Sequence, residues 1–257
     1  MKDVALPFDS HGVSHKGCVR ELNEDSYLIE PRAGVWAVAD GMGGHEAGKM
    51  ASSSIMEHLA SIGIATSPPD LLAQFEDRLN KAHVEIRGIA DARRVTIGST
   101  VAALLAMDGK FACLWSGDSR IYLVRNGSIL QVSHDHTEVQ ELLDRRAITP
   151  EQARTWPRRN VITRAVGVGE AALMDFQQGI ILPGDVFVLG SDGLTAHVAD
   201  AEIEAAVSDP PKEACQSLLA KVLERGGTDN VTIVIVRVHG RPDGQSSNAA
   251  LSGVRSE

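Results

Sequence analysis

Three short apolar segments of the sequence each lead into an aspartate. Asp40 directly follows the first, Asp118 follows the second after a Ser-Gly pair, and Asp192 follows the third after a Gly-Ser pair. The segments are Val35–Ala39, Ala112–Trp115 and Val186–Leu189. Short continuous apolar runs bounded by turn residues are typical of buried β-strands. The sequence therefore predicts three strands that each place a carboxylate just beyond their ends.

Two further acidic positions precede apolar segments instead. Asp229 stands before Val231–Val236, and Glu24 and Asp25 stand before Ser26–Ile29. Antiparallel neighbours bring the end of one strand beside the start of the next, so these carboxylates can meet at one edge of a sheet. A single Asp-Gly pair is most often a turn. Its recurrence in distant segments favours a cluster.

A cluster of aspartates is suited to hard divalent cations. Mg²⁺ and Mn²⁺ prefer oxygen ligands, and Mg²⁺ keeps several waters while taking few carboxylates. Three or four aspartates can therefore hold two such ions, which can activate a shared water for attack on phosphorus. A calcium loop of the EF-hand type is absent from the sequence, and His and Cys do not cluster as zinc ligands would.

Two other polar groups have competing interpretations. His134 and His136 would share a face if the chain there were an extended strand, but no further soft ligand lies nearby in the sequence, so a polar loop is favoured over a metal site.

Arg20 lies five residues before Asp25. Its guanidinium could bind a phosphate through two parallel hydrogen bonds, as lysine cannot. The alternative is an ordinary surface arginine.

The remaining segments predict helices packed outside β-sheets. Glu46–Ile62 and Asp70–Ala92 have a period near 3.6 residues and are separated by two prolines, and Pro211–Arg225 forms a third helix that ends before a Gly-Gly pair. Thr137–Arg164 is charged and helix-prone, which predicts a small helical insertion outside the core. We expect one domain over residues 1–240, with residues 137–164 as a flap within it, and a disordered tail over residues 241–257.

The composition limits the class of function. The net charge is −9 and no run of Lys and Arg is longer than a pair, which disfavours nucleic-acid binding. No apolar run approaches the ~20 residues of a membrane span, and Met1–Pro7 lacks the apolar core of a signal peptide. The three cysteines are odd in number and far apart in the sequence, which indicates a protein of a reducing compartment. We expect a cytoplasmic protein.

Six segments together resemble, in order, the motifs of the metal-dependent protein phosphatases of type 2C. They are Arg20–Asp25, Asp40–Gly44, Gly98–Thr100, Ser116–Arg120, Ser191–Gly193 and Thr228–Asn230. One motif alone would be weak, but six in this order are specific, and the resemblance extends from about His11 to Val238.

The resemblance implies an α+β fold of two packed antiparallel sheets flanked by helices, a four-layer αββα sandwich with a small helical flap. It also implies a centre of two Mn²⁺ or Mg²⁺ ions between the sheets. Asp40 would bridge the ions and the Gly41 carbonyl would bind one, while Asp192 and Asp229 would complete the other.

Further roles are implied by the same motifs. Asp118 would belong to a third, weaker metal site. Glu24 and Asp25 would contact metal-bound water, and Arg20 would bind the phosphate. The substrates would be proteins carrying phosphoserine or phosphothreonine, made by a cognate kinase. We expect a monomer.

The sequence departs from many eukaryotic members at one position. Met42 stands where they carry a histidine that is a proposed general acid, and a thioether cannot donate that proton. Nothing in the sequence shows that His45 replaces it.

Within the family, Ala112–Arg120 and Ala147–Ala153 look most similar to bacterial phosphatases paired with a kinase that controls type VI secretion.

Two other functions account for part of the sequence. Gly117-Asp118-Ser119 could present a serine nucleophile, but this needs a histidine base and an orienting acid, and it leaves the other acidic motifs unexplained. A catalytically inactive phosphatase fold could serve as a binding module. The intact Asp40, Asp192 and Asp229 argue against it, because inactive members usually lose such ligands.

Overall fold

A computed structural model describes residues 8–44 and 46–239 of the chain. The expected disordered tail (residues 241–257), the N-terminal segment Met1–Pro7 and His45 lie outside the described residues. Within the described part, no helix is both long enough and apolar enough to cross a membrane.

Eleven strands are present in the described residues. They are β1 (Phe8–His15), β2 (Asp25–Glu30), β3 (Val35–Met42), β4 (Gly98–Ser99), β5 (Val101–Met107), β6 (Lys110–Ser116), β7 (Arg120–Arg125), β8 (Ser128–Gln131), β9 (Asp175–Ile180), β10 (Val186–Gly190) and β11 (Val231–Val238). They form two antiparallel sheets, ordered β1-β11-β10-β7-β8 and β2-β3-β5-β6-β9, with β4 paired to β3. The expected α+β sandwich is confirmed.

Seven helices lie in the described part of the chain. They are α1 (Glu46–Ala60), α2 (Pro68–Arg93), α3 (Glu138–Asp144), α4 (Pro150–Arg154), α5 (Asp192–Thr195), α6 (Asp200–Ala206) and α7 (Pro211–Glu224). The three long helices match the sequence prediction to within a few residues. The two prolines expected to separate α1 from α2 instead occupy the first turn of α2 behind the N-cap Ser67, where their missing N–H groups cost nothing.

Three apolar clusters hold the four layers together. β11 shows how: Val234 and Val236 point into the cluster between the sheets with Trp36 and Phe187, while Ile233 and its outward neighbours pack under α5, α6 and α7. α1 and α2 cover the outer face of the other sheet in the same way. Strands covered on both faces lose the alternation of polar and apolar residues, which is why they read as continuous apolar runs.

Candidate metal centre

The register of β2 and β3 brings two of the predicted carboxylates together. Asp25 is the cross-strand partner of Asp40, and directly opposed residues have Cβ atoms about 5 Å apart. Asp40 was expected just beyond a strand, and that is wrong. β3 continues through Asp40 to Met42, because β4 pairs with Gly41 and Met42 and extends the strand.

The other sheet delivers three more aspartates to the same end of the sandwich. Asp118 lies in the turn between β6 and β7, Asp192 opens α5 after β10, and Asp229 precedes β11. Burial, followed by the charges of Asp25, Asp192, Asp118 and Asp229, raises the pKa of Asp40 well above its ordinary value. The charges of the other four predicted aspartates therefore all act on Asp40, although they come from distant segments.

The cluster is electrostatically unfavourable without a cation. Burial and neighbouring carboxylates raise the pKa of both Asp25 and Asp118 to about 7, and burial with the charge of Asp229 raises the pKa of Asp192. Within the described residues, one buried oxygen each of Asp25 and Asp192 has no hydrogen-bond partner. Buried carboxylates normally have partners or a metal, so these donors fit a divalent cation.

The arrangement is not that of a site built from protein ligands alone. Among the described residues, no group of three or more His, Cys, Asp or Glu side chains already forms a ligand set. Ions that keep several waters and take one or two carboxylates each suit such a cluster, and Mg²⁺ is the clearest example.

Hydroxyl and amide groups fix the carboxylate-bearing strands. The Asp40 amide donates to Thr100 Oγ1 at 3.0 Å, and Ser99 Oγ donates to the Asp40 carbonyl at 2.9 Å. Ser191 Oγ donates to Asp25 Oδ2 at 2.8 Å and thereby joins the two sheets. Ser99, Thr100 and Ser191 lie inside the motifs that resemble the family, but their residue types and spacing alone predicted no function for them.

Asn230 anchors the loop that carries the remaining predicted residues. Its Oδ1 accepts from the Glu24 amide at 2.8 Å, and its Nδ2 donates to the carbonyls of Lys16 and Leu22 at 3.0 and 2.8 Å. Glu24 also lies close to the Gly41 carbonyl, since a Cβ added to Gly48 of α1 would overlap both. Glycine at position 48 therefore keeps this carbonyl and this carboxylate side by side.

Arg20 lies at the rim of the cluster. Its Nη2 donates to Asp229 Oδ2 at 2.7 Å, and its side chain is 53% exposed. The hydrogen bond and the charge of Asp229 raise the pKa of Arg20. The structure thus places the predicted phosphate-binding group beside a predicted metal ligand, with its guanidinium accessible to solvent.

The segment around His134 is structural, as the loop interpretation predicted. His134 Nε2 pairs with Asp144 at 2.8 Å. His136 accepts from the Gly117 amide through Nδ1 at 3.1 Å and pairs with Asp175 through Nε2 at 3.1 Å. The two rings therefore serve different partners and do not form a metal site.

The serine-nucleophile alternative fails on geometry. Ser119 is buried, and its Oγ hydrogen-bonds to Thr100 Oγ1 at 2.7 Å. His136 uses both ring nitrogens on Gly117 and Asp175. Ser119 therefore supports the strand that carries Asp40.

The raised pKa values predict a pH-dependent stability for metal-free protein. Because the Asp118 pKa rises from 3.8 to about 7 on folding, the folded state binds more protons, and the contribution of Asp118 becomes less favourable as the pH rises through that window. Asp118→Asn should therefore raise the melting temperature in chelator at pH 8 and change it little at pH 4.5. An equal shift at both pH values would contradict this charge effect.

Comparison with known proteins agrees with this geometry. A family model described as protein phosphatase 2C matches residues 14–145. The serine/threonine protein phosphatase PstP of Mycobacterium tuberculosis is 35% identical over 241 residues, which cover 93% of this chain and 46% of PstP. The chain thus spans about half the length of the curated PstP relatives that it matches.

Solved structures share the fold at higher coverage. PppA, described as a key regulatory component of T6SS in Pseudomonas aeruginosa, is 41% identical with a TM-score of 0.83, covering 90% of this chain and 97% of PppA. A PstP catalytic domain in complex with two manganese ions is 33% identical with a TM-score of 0.82, covering 91% of this chain and 99% of that domain.

Proposed function

The chain belongs to the protein phosphatase 2C family, and on this premise we propose that it hydrolyses phosphoserine and phosphothreonine in proteins with the help of divalent metal ions. The observation that carries the proposal is the convergence of five aspartates from distant segments on one end of the sandwich, where burial and mutual repulsion raise the pKa values of Asp25, Asp40, Asp118 and Asp192. Positive charge relieves that repulsion.

The proposed ligand roles are those that the resemblance to the type 2C motifs implies. Asp40 would be shared by two ions and the Gly41 carbonyl would help to hold one of them, while Asp192 and Asp229 would help to hold the other. Asp118, on the turn between β6 and β7, would contribute to a third, weaker site. Mn²⁺ and Mg²⁺ are the proposed ions, supported by a donor set made only of oxygen atoms and by the manganese ions of the related PstP domain.

In this proposal the protein positions the reactants around the ions. Two divalent ions would supply a nucleophilic water at neutral pH and neutralise charge on the phosphoryl oxygens. Asp25, held by Ser191, and Glu24, held through its amide by Asn230, would orient that water. Arg20 would bind the phosphate. Met42 cannot protonate the leaving group, so that role stays unassigned.

The experiment that tests the proposal is turnover of a phosphothreonine peptide by purified protein, with p-nitrophenyl phosphate as a small reference substrate. Release of phosphate from both in Mn²⁺ supports the proposal. Binding of phosphopeptide without release would favour the alternative of an inactive binding module.

The Arg20 assignment predicts a specific kinetic change. Arg20→Lys keeps the charge but loses the planar pair of donors, so KM for a phosphopeptide should rise by about tenfold, while the affinity for Mn²⁺ stays within about twofold of wild type. Steady-state kinetics and calorimetry measure the two quantities. An unchanged KM would make Arg20 an ordinary surface arginine.

Residues 137–164, the proposed flap, are assigned to the choice of substrate. Its helices α3 and α4 begin at the N-caps Thr137 and Thr149 and bury no side chain fully, so their charged side chains lie at the surface, where a protein could contact them. Segments beside a cleft on a rigid scaffold commonly select what enters it. A structural cap over the sheet edge is the alternative.

Charge reversal separates these two roles. Changing Arg145, Arg146 and Arg154 together to Glu should alter the rate on a phosphoprotein severalfold and leave p-nitrophenyl phosphate turnover and melting temperature near wild type. The matched control reverses Arg32, Arg93 and Lys212, which are exposed outside the flap. Equal loss on both substrates, or a lower melting temperature, would make the segment structural.

The proposed partners are a serine/threonine kinase and the proteins it phosphorylates, because a phosphatase of this specificity acts only on products of such a kinase. The similarity to PppA supports a place in the control of type VI secretion.

A further inference from the structure

Two consecutive residues, Asp135 and His136, contact the turn that carries Asp118 from both sides. Arg120, two positions after Asp118, donates from Nη2 to Asp135 Oδ2 at 2.6 Å and from Nε to both carboxylate oxygens at 2.9 and 3.0 Å. Gly117, directly before Asp118, donates its N–H to His136 Nδ1 at 3.1 Å. The His136 amide in turn donates to the Gly117 carbonyl at 2.9 Å. The turn is therefore fixed on either side of a predicted metal ligand.

The ring of His136 is held in one orientation. Because Nδ1 accepts from Gly117, the ring hydrogen lies on Nε2, which donates to Asp175 Oδ2 at 3.1 Å. Arg164 Nη1 donates to Asp175 Oδ1 at 2.7 Å and approaches His136 Nε2 to 3.3 Å. Trp115 stacks on the buried ring, with centroids 6.5 Å apart and planes inclined by 21°. The ring therefore cannot turn away from Gly117 without losing these contacts.

His136 also lies where the flap joins the sandwich. It directly precedes Thr137, the N-cap of α3, and its carbonyl accepts from the Thr163 amide at 2.8 Å, where the chain returns from the flap. The two ends of the flap pair beside it through an antiparallel bridge between Thr137 and Ile162. One residue thus contacts both ends of the flap and the turn that carries Asp118.

We propose that His136 is a positioning residue that holds Asp118 at the metal cluster through Gly117 and joins that turn to the base of the flap. The inference rests on the proposed function, since it takes Asp118 to be a metal ligand. Groups that orient a metal ligand from outside the coordination shell change metal affinity or activity by about 10- to 100-fold when they are lost. Loss of the contact to Gly117 should therefore weaken binding of the ion assigned to Asp118 and leave the first two ions nearly as tightly bound.

Two substitutions separate the two nitrogens of the ring. In His136→Asn the side-chain oxygen can take the place of Nδ1 and accept from Gly117. In His136→Gln the side-chain amide can take the place of Nε2 and donate to Asp175, but the Gly117 N–H loses its acceptor. His134→Gln is the matched control, because this neighbouring ring pairs with Asp144 at the surface and not with Gly117.

Amide hydrogen exchange of the full chain in excess chelator tests the contact without metal or substrate. The Gly117 amide should exchange at least roughly tenfold faster in His136→Gln than in wild type, because it has lost its acceptor. In His136→Asn and His134→Gln its exchange should stay close to the wild-type rate. If His136→Gln does not fold, Asp175→Ala replaces it. This change removes the acceptor of Nε2 at a position that is 45% exposed, and Gly117 exchange should rise severalfold. Unchanged Gly117 exchange in the folded variant would overturn the proposal.

Calorimetric titration with Mn²⁺ tests the consequence for the metal centre. His136→Gln should weaken, by about tenfold, the binding step that Asp118→Asn also weakens, and should raise the Mn²⁺ concentration for half-maximal phosphate release. His136→Asn should stay much closer to wild type. Equal losses in the two His136 variants, or an Asp118→Asn variant that weakens no step, would overturn the proposal. A wild-type chain that shows these binding differences but releases no phosphate would support the role of His136 and reject the proposed function.

Discussion

Asp40→Asn is expected to lower turnover of a phosphothreonine peptide by at least about a thousandfold, equivalent to about 4 kcal/mol of transition-state stabilisation. The change replaces the proposed bridging anion with a neutral amide of the same shape. Asp192→Asn and Asp229→Asn should also lose nearly all turnover, whereas Asp118→Asn should reduce binding of the first two ions less.

Stability measurements separate loss of the metal from loss of the fold. Asparagine at position 40 removes one charge from a cluster of buried, mutually repelling carboxylates, so the chelated variant should melt no lower than wild type. Asp91→Asn, at an exposed position on α2, is the matched control and should keep full activity. Near-normal turnover by Asp40→Asn would show that the bridging assignment is wrong.

Removal of divalent cations should abolish activity. In excess chelator, phosphate release should fall to the rate of a reaction without enzyme, because in the proposed mechanism the ions supply the nucleophilic water and neutralise the phosphoryl oxygens. Addition of Mn²⁺ or Mg²⁺ beyond the chelator should restore it. Full activity in excess chelator would exclude metal-dependent hydrolysis.

Much of the architecture was predictable because buried strands leave a strong pattern in the sequence. Val231–Val238 is nearly all β-branched and is covered on both faces, so it reads as a strand without ambiguity. α5 and α6 were missed. They are short, and the Asp192-Gly193 pair that opens α5 has the composition of a turn.

The prediction of the site residues depended on where each one lies relative to a strand, and those predicted positions were only partly correct. Asp40 lies inside β3 because β4, a strand of two residues, extends the pairing; a segment that short has no periodicity to detect. The hydrogen bonds that Thr100 and Ser191 make to the carboxylate-bearing strands join residues 60 and 166 positions apart. No local pattern specifies such contacts.

The unpaired edge of β9 shows the same limit. Asp175–Ile180 has a mixed composition, and whether its outward groups have a neighbour is decided by where β6 and β9 lie in the sheet order. The sequence therefore gave no prediction of a strand at this edge of the sheet.

Manganese binding measured together with turnover tests the central claim most directly. Titration of chelator-stripped protein by calorimetry should show two ions bound per chain, with phosphate release from a phosphothreonine peptide rising as they bind, and Asp40→Asn should lose both the binding and the turnover. Turnover that reaches its full rate before Mn²⁺ binds, or wild-type Mn²⁺ binding by Asp40→Asn, would contradict the account.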